Sequence, residues 1–180
     1  MKKLYMILPL AVMLCLVIGC QDKAAMAELE EFKAQVAVEE QNKELMRKLV
    51  DEWNKRSNDL YRQVMASDYA FYSPSANPSP LSRDEAVANA EAFWKGFPDV
   101  VYTIEELIAT GDWLTTRWTA RGTHQGEFMG IPATGKQIEF GGLVISHIQN
   151  GKLLEDWEDA DALGLMMQLG MELKPKEAGK

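Results

Sequence analysis

Cysteine and histidine are scarce in this chain, and their scarcity restricts the chemistry open to it. The 180 residues include two cysteines, Cys15 and Cys20, both near the N-terminus, and two histidines, His124 and His147. With so few thiol and imidazole groups, neither a disulfide framework nor a metal site is predicted. Nucleophilic catalysis is also not predicted, because a serine elbow motif is missing as well.

Positive charge is in deficit. Lysine and arginine number 19 against 27 aspartates and glutamates, which gives a formal net charge of −8. An acidic chain without a basic cluster is a poor nucleic-acid binder, so no nucleic-acid partner is expected. No motif for a phosphate, a nucleotide or a flavin is present, and no cofactor is expected.

The N-terminus carries the pattern of a bacterial secretory signal. A basic start, MKK, precedes an uncharged apolar run, LYMILPLAVMLCLVIG, that ends at Cys20. This run is short for a membrane span, which needs about 20 residues, so residues 1–19 are predicted to be a signal peptide. Residues 17–20, VIGC, resemble the lipobox, in which the cysteine is lipidated. An ordinary signal peptide and an uncleaved anchor helix are the alternatives.

A lipid on Cys20 would attach the protein to the bacterial cell envelope. Because the chain has no polybasic patch, the lipid would be its only membrane anchor. Gln21 follows the cysteine, and this resembles the signal for export to the outer membrane, periplasmic side, in bacteria with two membranes.

Residues 20–41 are predicted to form a helical tether. They contain no glycine or proline after the cysteine, and Leu29, Phe32 and Val36 follow a helical spacing. Such a segment is a semi-rigid spacer that holds a domain off the membrane. The domain itself is predicted over residues 42–172, and residues 173–180 are expected to be a disordered tail.

The domain begins with helices and continues with strands. A helix with Leu45, Leu49 and Trp53 on one face is followed by a short helix that Asn58 or Asp59 would cap. DYAFYSP predicts a strand, and a capping box opens the next helix, RDEAVANAEAFWKGF. Four segments of period two then follow: VVYTIEELIAT, WLTTRWTARGTH, KQIEFGGLVISHIQ and KLLEDWED.

The turns between these strands predict a meander. Asn150-Gly151 is the strongest hairpin signal, and Gly111-Asp112 marks another turn. A last helix, ALGLMMQLG, would be capped by Asp161 or Asp159 and end at Gly170. The pattern predicts an α+β domain, a cone-shaped curved antiparallel sheet with the N-terminal helices on its concave face. Its apolar interior is a place for a ligand pocket.

Four stretches carry a resemblance to a known family. LYRQVMASDYAFYSP, GFPDVVYTIEELIATGD, RWTARGTHQGEFMGIPATGK and NGKLLEDWEDADALGLMMQLG are similar to the SnoaL-like ester and polyketide cyclases, which belong to the nuclear transport factor 2-like superfamily. The resemblance covers roughly residues 42–170. It implies the cone fold and an intramolecular aldol closure, in which a buried carboxylate removes a proton next to a carbonyl.

The resemblance also implies positions for the site. The family's base, an aspartate on the last strand, corresponds to Glu158 here. The histidine on the preceding strand corresponds to Val144, and an asparagine of the first strand corresponds to Ser73, so two partners of the base are missing. His124 matches the family's histidine in the GTH stretch. For His124, a structural role and a role in the pocket are both open.

The carboxylates and Arg117 leave alternatives open. Alternation in KLLEDWED predicts Leu154, Asp156 and Glu158 on one face of the strand, either towards the pocket or as a solvated edge. Asp161 is either a helix cap or a second catalytic acid. A buried Arg117 would need a carboxylate partner, for which Glu158 or Asp161 is the candidate; an outward Arg117 is the alternative.

The remaining candidates are apolar residues that would line the ligand pocket together with Asp156: Trp53, Tyr72, Phe93, Trp118, Phe128, Met129 and Val144. Two functions are consistent with these observations. One is a membrane-anchored protein that binds a small apolar molecule, and the other is a cofactor-independent cyclase or isomerase with a pocket carboxylate as base. A scaffold whose outer sheet face forms a homodimer is a further alternative to the first function.

Overall fold

A computed structural model describes residues 7–74, 78–172 and 174, of which residues 7–22 are described as backbone only. The predicted tail and the start of the predicted signal peptide lie outside these residues. The elements in chain order are α1 (Ile7–Asn54), α2 (Asp59–Val64), β1 (Met65–Tyr72), β2 (Leu81–Ser82), α3 (Arg83–Gly96), β3 (Val101–Thr110), β4 (Trp113–Thr123), β5 (Gln137–Gln149), β6 (Lys152–Ala160) and α4 (Ala162–Leu169).

Contacts divide the chain into two units, Met1–Val38 and Glu39–Lys180. In the first unit, α1 exposes the apolar stripe of Leu29, Phe32 and Val36. An ion pair in this unit, between Lys33 and Glu30 at 2.9 Å, lies on the exposed surface of the helix. None of the described helices is long and apolar enough to cross a membrane.

The second unit is built on a curved, open six-stranded sheet with the order β2-β1-β6-β5-β4-β3. The last four strands form the antiparallel meander that the sequence predicts, and the α+β prediction is confirmed. β1 pairs with β6 in parallel, which the sequence pattern does not reveal. The short strand β2 was not predicted either; it lies at the edge of the sheet, antiparallel to β1.

Turns and caps follow local sequence signals with one exception. Asn150 and Gly151 both have positive φ, 51° and 70°, as a two-residue hairpin turn requires. The Glu85 carboxylate accepts a hydrogen bond from the Ser82 N–H at 2.8 Å, which confirms the capping box at α3. At α2 the predicted side-chain cap is wrong, because Asn58 occupies the N-cap position without making a side-chain cap bond.

Two β-bulges set which residues point inwards. Glu105 on β3 has no partner between the pairs Ile104–Trp118 and Glu106–Arg117. Leu154 on β6 is likewise the extra residue between Leu153 and Glu155. Because a bulge shifts the side-chain alternation by one residue, Leu153 shares the inner face with Asp156. The expectation that Leu154 would share that face is therefore wrong.

The helices pack on the inner face of this sheet in two apolar clusters. The first joins α1 and α2 to the sheet and includes Met46, Leu49, Tyr61, Val64, Leu114, Ile148 and Leu153. The second joins α3 and α4 to the sheet and includes Trp94, Phe97, Trp118, Ala120, Ile138, Leu165 and Leu169. Trp53 of α1 packs against both clusters.

A row of three residues lies between the clusters, and we call it the seam. Thr116 of β4, Val144 of β5 and Glu158 of β6 stand opposite one another in register. The adjacent row on one side holds Leu114, Ser146 and Asp156, and the row on the other side holds Trp118, Gly142 and Ala160. Thr116 and Glu158 are the polar members of the seam, and Ser146 and Asp156 are the polar members of the row beside it.

Candidate functional site

Glu158 is the polar residue at the centre of the site. Its side chain is half-buried, and protein surrounds it on most sides. Desolvation by burial, together with the negative charges of Asp156 and Asp159, raises the pKa of Glu158 from its usual 4.5 to about 7. No hydrogen bond or ion pair to this carboxylate occurs among residues 7–74 and 78–172. The group can therefore take up and release a proton near neutral pH.

Asp156, two residues earlier on the same face, has a very different environment. It is 5% exposed, and its two carboxylate oxygens accept hydrogen bonds from the hydroxyls of Ser146 at 2.5 Å and Tyr69 at 2.7 Å. The Tyr61 and Tyr69 hydroxyls are 2.6 Å apart. Burial raises the pKa of Asp156, while these hydroxyls act in the opposite direction.

Aromatic rings form the apolar wall beside the seam. Trp53 contacts Tyr61 and Tyr102 edge to face, with ring centroids 5.4 and 5.6 Å apart. Tyr102 in turn contacts Trp118 at 5.8 Å. Burial, then the charge of Glu158, raises the pKa of Tyr102, so its hydroxyl remains a hydrogen-bond donor at neutral pH.

The end of α1 holds Tyr102 in place. The Asn54 side chain donates to the Tyr102 carbonyl at 2.9 Å and accepts from the Tyr102 N–H at 2.8 Å. Arg56, with φ 63°, donates to the carbonyls of Pro98 and Val100. These bonds fix β3 against the helix that carries Trp53.

Two further polar atoms lie in this region without a partner. The Trp53 Nε1 and Thr116 Oγ1 atoms are buried and have no hydrogen-bond partner in the described part of the chain. A buried donor without an acceptor costs about 1–3 kcal/mol. Groups of three metal-ligating side chains are not found among the described residues.

His124 is fully buried at the start of the loop that joins β4 to β5. Its ring stacks on Phe97 at 5.0 Å, and its Nδ1 accepts from the Thr134 N–H at 3.3 Å. In the neutral ring Nε2 then carries the proton, and this atom has no partner among the described residues. The ring is held by a backbone donor, as the structural alternative predicts.

Arg117 and Asp161 do not join Glu158. Arg117 is exposed and lies 3.5 Å from Glu106. The outward alternative for Arg117 therefore holds, and the pairing with Glu158 or Asp161 does not form, because β4 alternation turns Arg117 to the outer face. Asp161 is exposed, and its carboxylate accepts from the Gly164 N–H at 2.8 Å. It caps α4, which confirms that alternative for Asp161.

Two of the predicted pocket residues lie elsewhere. Tyr72 stacks on Trp157 at 3.9 Å on the outer face, because Phe71, not Tyr72, points inwards from β1. Met129 is 75% exposed at the tip of a loop turn. The other six candidates are on the inner side: Trp53, Phe93, Trp118, Phe128 and Val144 pack against the clusters, and Asp156 is buried.

Sequence reasoning overlooked the residues around Asp156. Tyr69, Tyr61 and Ser146 come from three different elements, and no local spacing relates them. The alternation of β1 could have indicated Tyr69, because Tyr69 and Phe71 are two residues apart and therefore lie on the same face of the strand. Tyr102 also alternates inwards with Ile104, but nothing in the sequence indicates that it faces Glu158 across the curved sheet.

An α+β protein with a candidate acid–base site is thus defined by a curved sheet, an aromatic interior and an inner carboxylate that has no partner among the described residues. The family model of the SnoaL-like polyketide cyclases matches residues 43–169. The chain therefore belongs to this family, as its sequence motifs suggested.

Three relatives show the range within the family. Aklanonic acid methyl ester cyclase DauD from Streptomyces sp. (strain C5) is 24% identical over 135 residues, which are 71% of this chain and 80% of DauD. AclR, a proposed hydroxylase from Streptomyces galilaeus, is 27% identical with a TM-score of 0.68, over 73% of this chain and 97% of AclR. IdmH, a proposed polyketide cyclase from Streptomyces antibioticus, is 29% identical with a TM-score of 0.65, over 72% and 98%.

The raised pKa of Glu158 predicts a pH-dependent stability. The native state binds this proton more tightly than the unfolded chain, so the free energy of unfolding should fall as the pH rises from about 4.5 to about 7. Glu158→Gln removes this loss and should stabilise the protein at pH 8 by roughly 1–3 kcal/mol relative to wild type, but much less at pH 4. Urea unfolding at several pH values measures the difference.

Glu155→Gln is the matched control, because it makes the same chemical change on the same strand, beside the outer-face His147. Its effect on stability should be small at both pH values. An equal gain from Glu155→Gln, or a Glu158→Gln gain that does not depend on pH, would contradict the raised pKa.

Proposed function

We propose that the protein binds a small apolar carbonyl compound between its two core clusters, and that Glu158 removes a proton from the carbon next to the carbonyl. The observation that carries this proposal is the unpaired state of Glu158 together with its pKa of about 7. A structural carboxylate would be paired or would cap a helix, as Asp161 does. No cofactor is needed for this step.

The proposed reaction needs no co-reactant, because the proton that leaves the substrate returns to the same molecule. Glu158 takes the proton, and the electron pair of the broken C–H bond forms an enolate, which a neighbouring donor stabilises. In a cyclisation the enolate carbon then attacks a second carbonyl of the same molecule, and the alkoxide formed receives the proton back from Glu158. In an isomerisation the proton returns to a different carbon. Glu158 is regenerated in both.

A carrier without catalysis is the second candidate. Val144 stands directly opposite Glu158 on β5, where the sequence resemblance implies a histidine that would assist the base. An apolar residue there can contact a ligand but cannot transfer a proton. The ligand class is the same in both cases, so binding alone does not distinguish them.

Hydrogen exchange at the substrate carbon tests the catalytic proposal. The protein should catalyse deuterium incorporation next to the carbonyl in at least one of a panel of apolar ketones and methyl esters, measured by NMR. Glu158→Gln should reduce the rate by about 100-fold or more, whereas Glu158→Asp should retain part of it. The rate should increase as the pH rises through about 7, since the base must lose its proton first.

Glu155→Gln is again the control and should exchange at the wild-type rate. If a panel compound binds but its exchange is the same with wild type, with Glu158→Gln and without protein, the carrier function replaces the catalytic one.

We further propose that the domain is anchored at the bacterial cell envelope by a lipid on Cys20. The sequence alone supports this: a basic start, an apolar run and VIGC in that order. In a bacterial host fed an alkyne-tagged fatty acid, the wild-type chain should be labelled and sediment with membranes. Cys20→Ser should lose the label, while Cys15→Ser should keep it. Equal labelling of both variants would exclude Cys20 as the attachment point.

The outer sheet face is proposed to form a homodimer. It presents a patch of five apolar side chains, each between 43% and 55% exposed: Ile108, Trp113, Leu143, Ile145 and Trp157. Ile108, Ile145 and Trp157 lie in one row across the strands. A contiguous patch of this kind often marks a protein interface, and a second copy fits it by a two-fold axis.

Sedimentation equilibrium of the purified chain tests this interface. The wild type should be a dimer, and Ile145→Asp should be a monomer because a charge would be desolvated at the contact. Leu163→Asp, an exposed leucine on α4, is the control and should remain dimeric. A monomeric wild type would refute the proposal.

A further inference from the structure

The inner face of β6 carries two carboxylates in succession. Asp156 and Glu158 alternate on the same side of the strand, so their Cα atoms are about 7 Å apart. Both face an interior made of the two apolar clusters. In such surroundings a charge on one carboxylate acts on the other much more strongly than it would in water.

Asp156 is fixed, whereas Glu158 is not. Ser146 of β5 donates to one oxygen of Asp156 and Tyr69 of β1 donates to the other. Tyr61 of α2 supports Tyr69 through the contact between their hydroxyls. Hydrogen bonds of this kind favour the ionised form of a carboxylate. Glu158 has no such donor in the described part of the chain, so within this pair it is the carboxylate whose proton is more readily exchanged.

Among the residues that the structure describes, no positively charged group forms an ion pair with Asp156. The titratable groups that face the pair from the packed elements are the phenols of Tyr61, Tyr69 and Tyr102. Glu155 and Asp159 of β6 are negative and lie on either side of the pair. Arg56 acts on Tyr102, and no ion pair to either carboxylate occurs within the described residues.

We propose that Asp156 is a positioning residue for Glu158: Ser146 and Tyr69 fix its negative charge beside the Glu158 carboxylate, which makes Glu158 a stronger base than burial alone would. This inference rests on the proposed function, in which Glu158 accepts the carbon-bound proton. A purely structural Asp156 would tie β1, β5 and β6 together without affecting the proton affinity of Glu158.

Titration of the Glu158 side chain by carboxyl ¹³C NMR, with the full-length chain in a mild detergent, separates these roles. In Asp156→Asn the midpoint should move down from about 7 by about one pH unit or more, because a neighbouring like charge is removed. The amide keeps the shape of the side chain, and both hydroxyl partners can rotate to bond it. The acid limb of the deuterium-exchange profile should move in the same direction.

Tyr69→Phe is the matched control. It removes one of the two donors to Asp156 but keeps the carboxylate, which Ser146 still bonds, so the midpoint of Glu158 should fall by clearly less than in Asp156→Asn. If Asp156→Asn does not fold, Asp156→Ser replaces it, since serine keeps an oxygen for the Tyr69 hydroxyl. An unchanged midpoint without the Asp156 charge, or an equal decrease in Tyr69→Phe, overturns the inference.

The titration does not depend on turnover, so the two proposals can fail separately. A lowered midpoint in a protein that exchanges no hydrogen would refute the catalytic function and leave the coupling of the carboxylates intact. Hydrogen exchange that requires Glu158, in a protein whose Glu158 midpoint does not respond to Asp156→Asn, would support the catalytic function and refute the coupling of the carboxylates.

Discussion

An ionised carboxylate inside an apolar interior costs several kcal/mol unless hydrogen bonds or a counter-charge stabilise it, and β6 places two carboxylates on its inner face. These two carboxylates have different hydrogen-bonding environments. Asp156 receives hydroxyl donors from two strands, while Glu158 faces the seam without a donor among the described residues. Asp156 is thus held by hydrogen bonds and Glu158 is not, and acid–base sites commonly contain two carboxylates in such different environments.

The bulge at Leu154 makes this arrangement compatible with the core. Regular alternation would allow β6 to bury either Leu153 or Asp156, but not both. One extra residue in the strand turns both inwards. Leu153 then belongs to the first cluster, Asp156 lies in the row beside the seam, and Glu158 lies in the seam. On the opposite edge, the bulge at Glu105 lets Tyr102 and Ile104 point inwards together with Leu107 and Ala109.

The same fold carries different activities among its relatives, since a methyl ester cyclase and a proposed hydroxylase both resemble this chain. The shape of the sheet therefore does not identify the reaction. In this chain the seam holds a glutamate as the candidate base and a valine opposite it, and the adjacent row holds an aspartate bonded by tyrosine and serine hydroxyls. A ligand at the proposed site would meet mainly aromatic surface, and no ion-paired cation among the described residues.

The sequence by itself determined the local elements, because caps, turns and side-chain alternation depend on neighbouring residues; it led to four strands of the meander, the capping box at Ser82 and the cap at Asp161. It also indicated Glu158, through the family resemblance. Only the tertiary structure decided the parallel pairing of β1 with β6, the outward direction of Arg117 and Tyr72, and the bonds from Tyr69 and Ser146 to Asp156. These features join residues far apart in the chain, and bulges shift the alternation, so no local spacing encodes them.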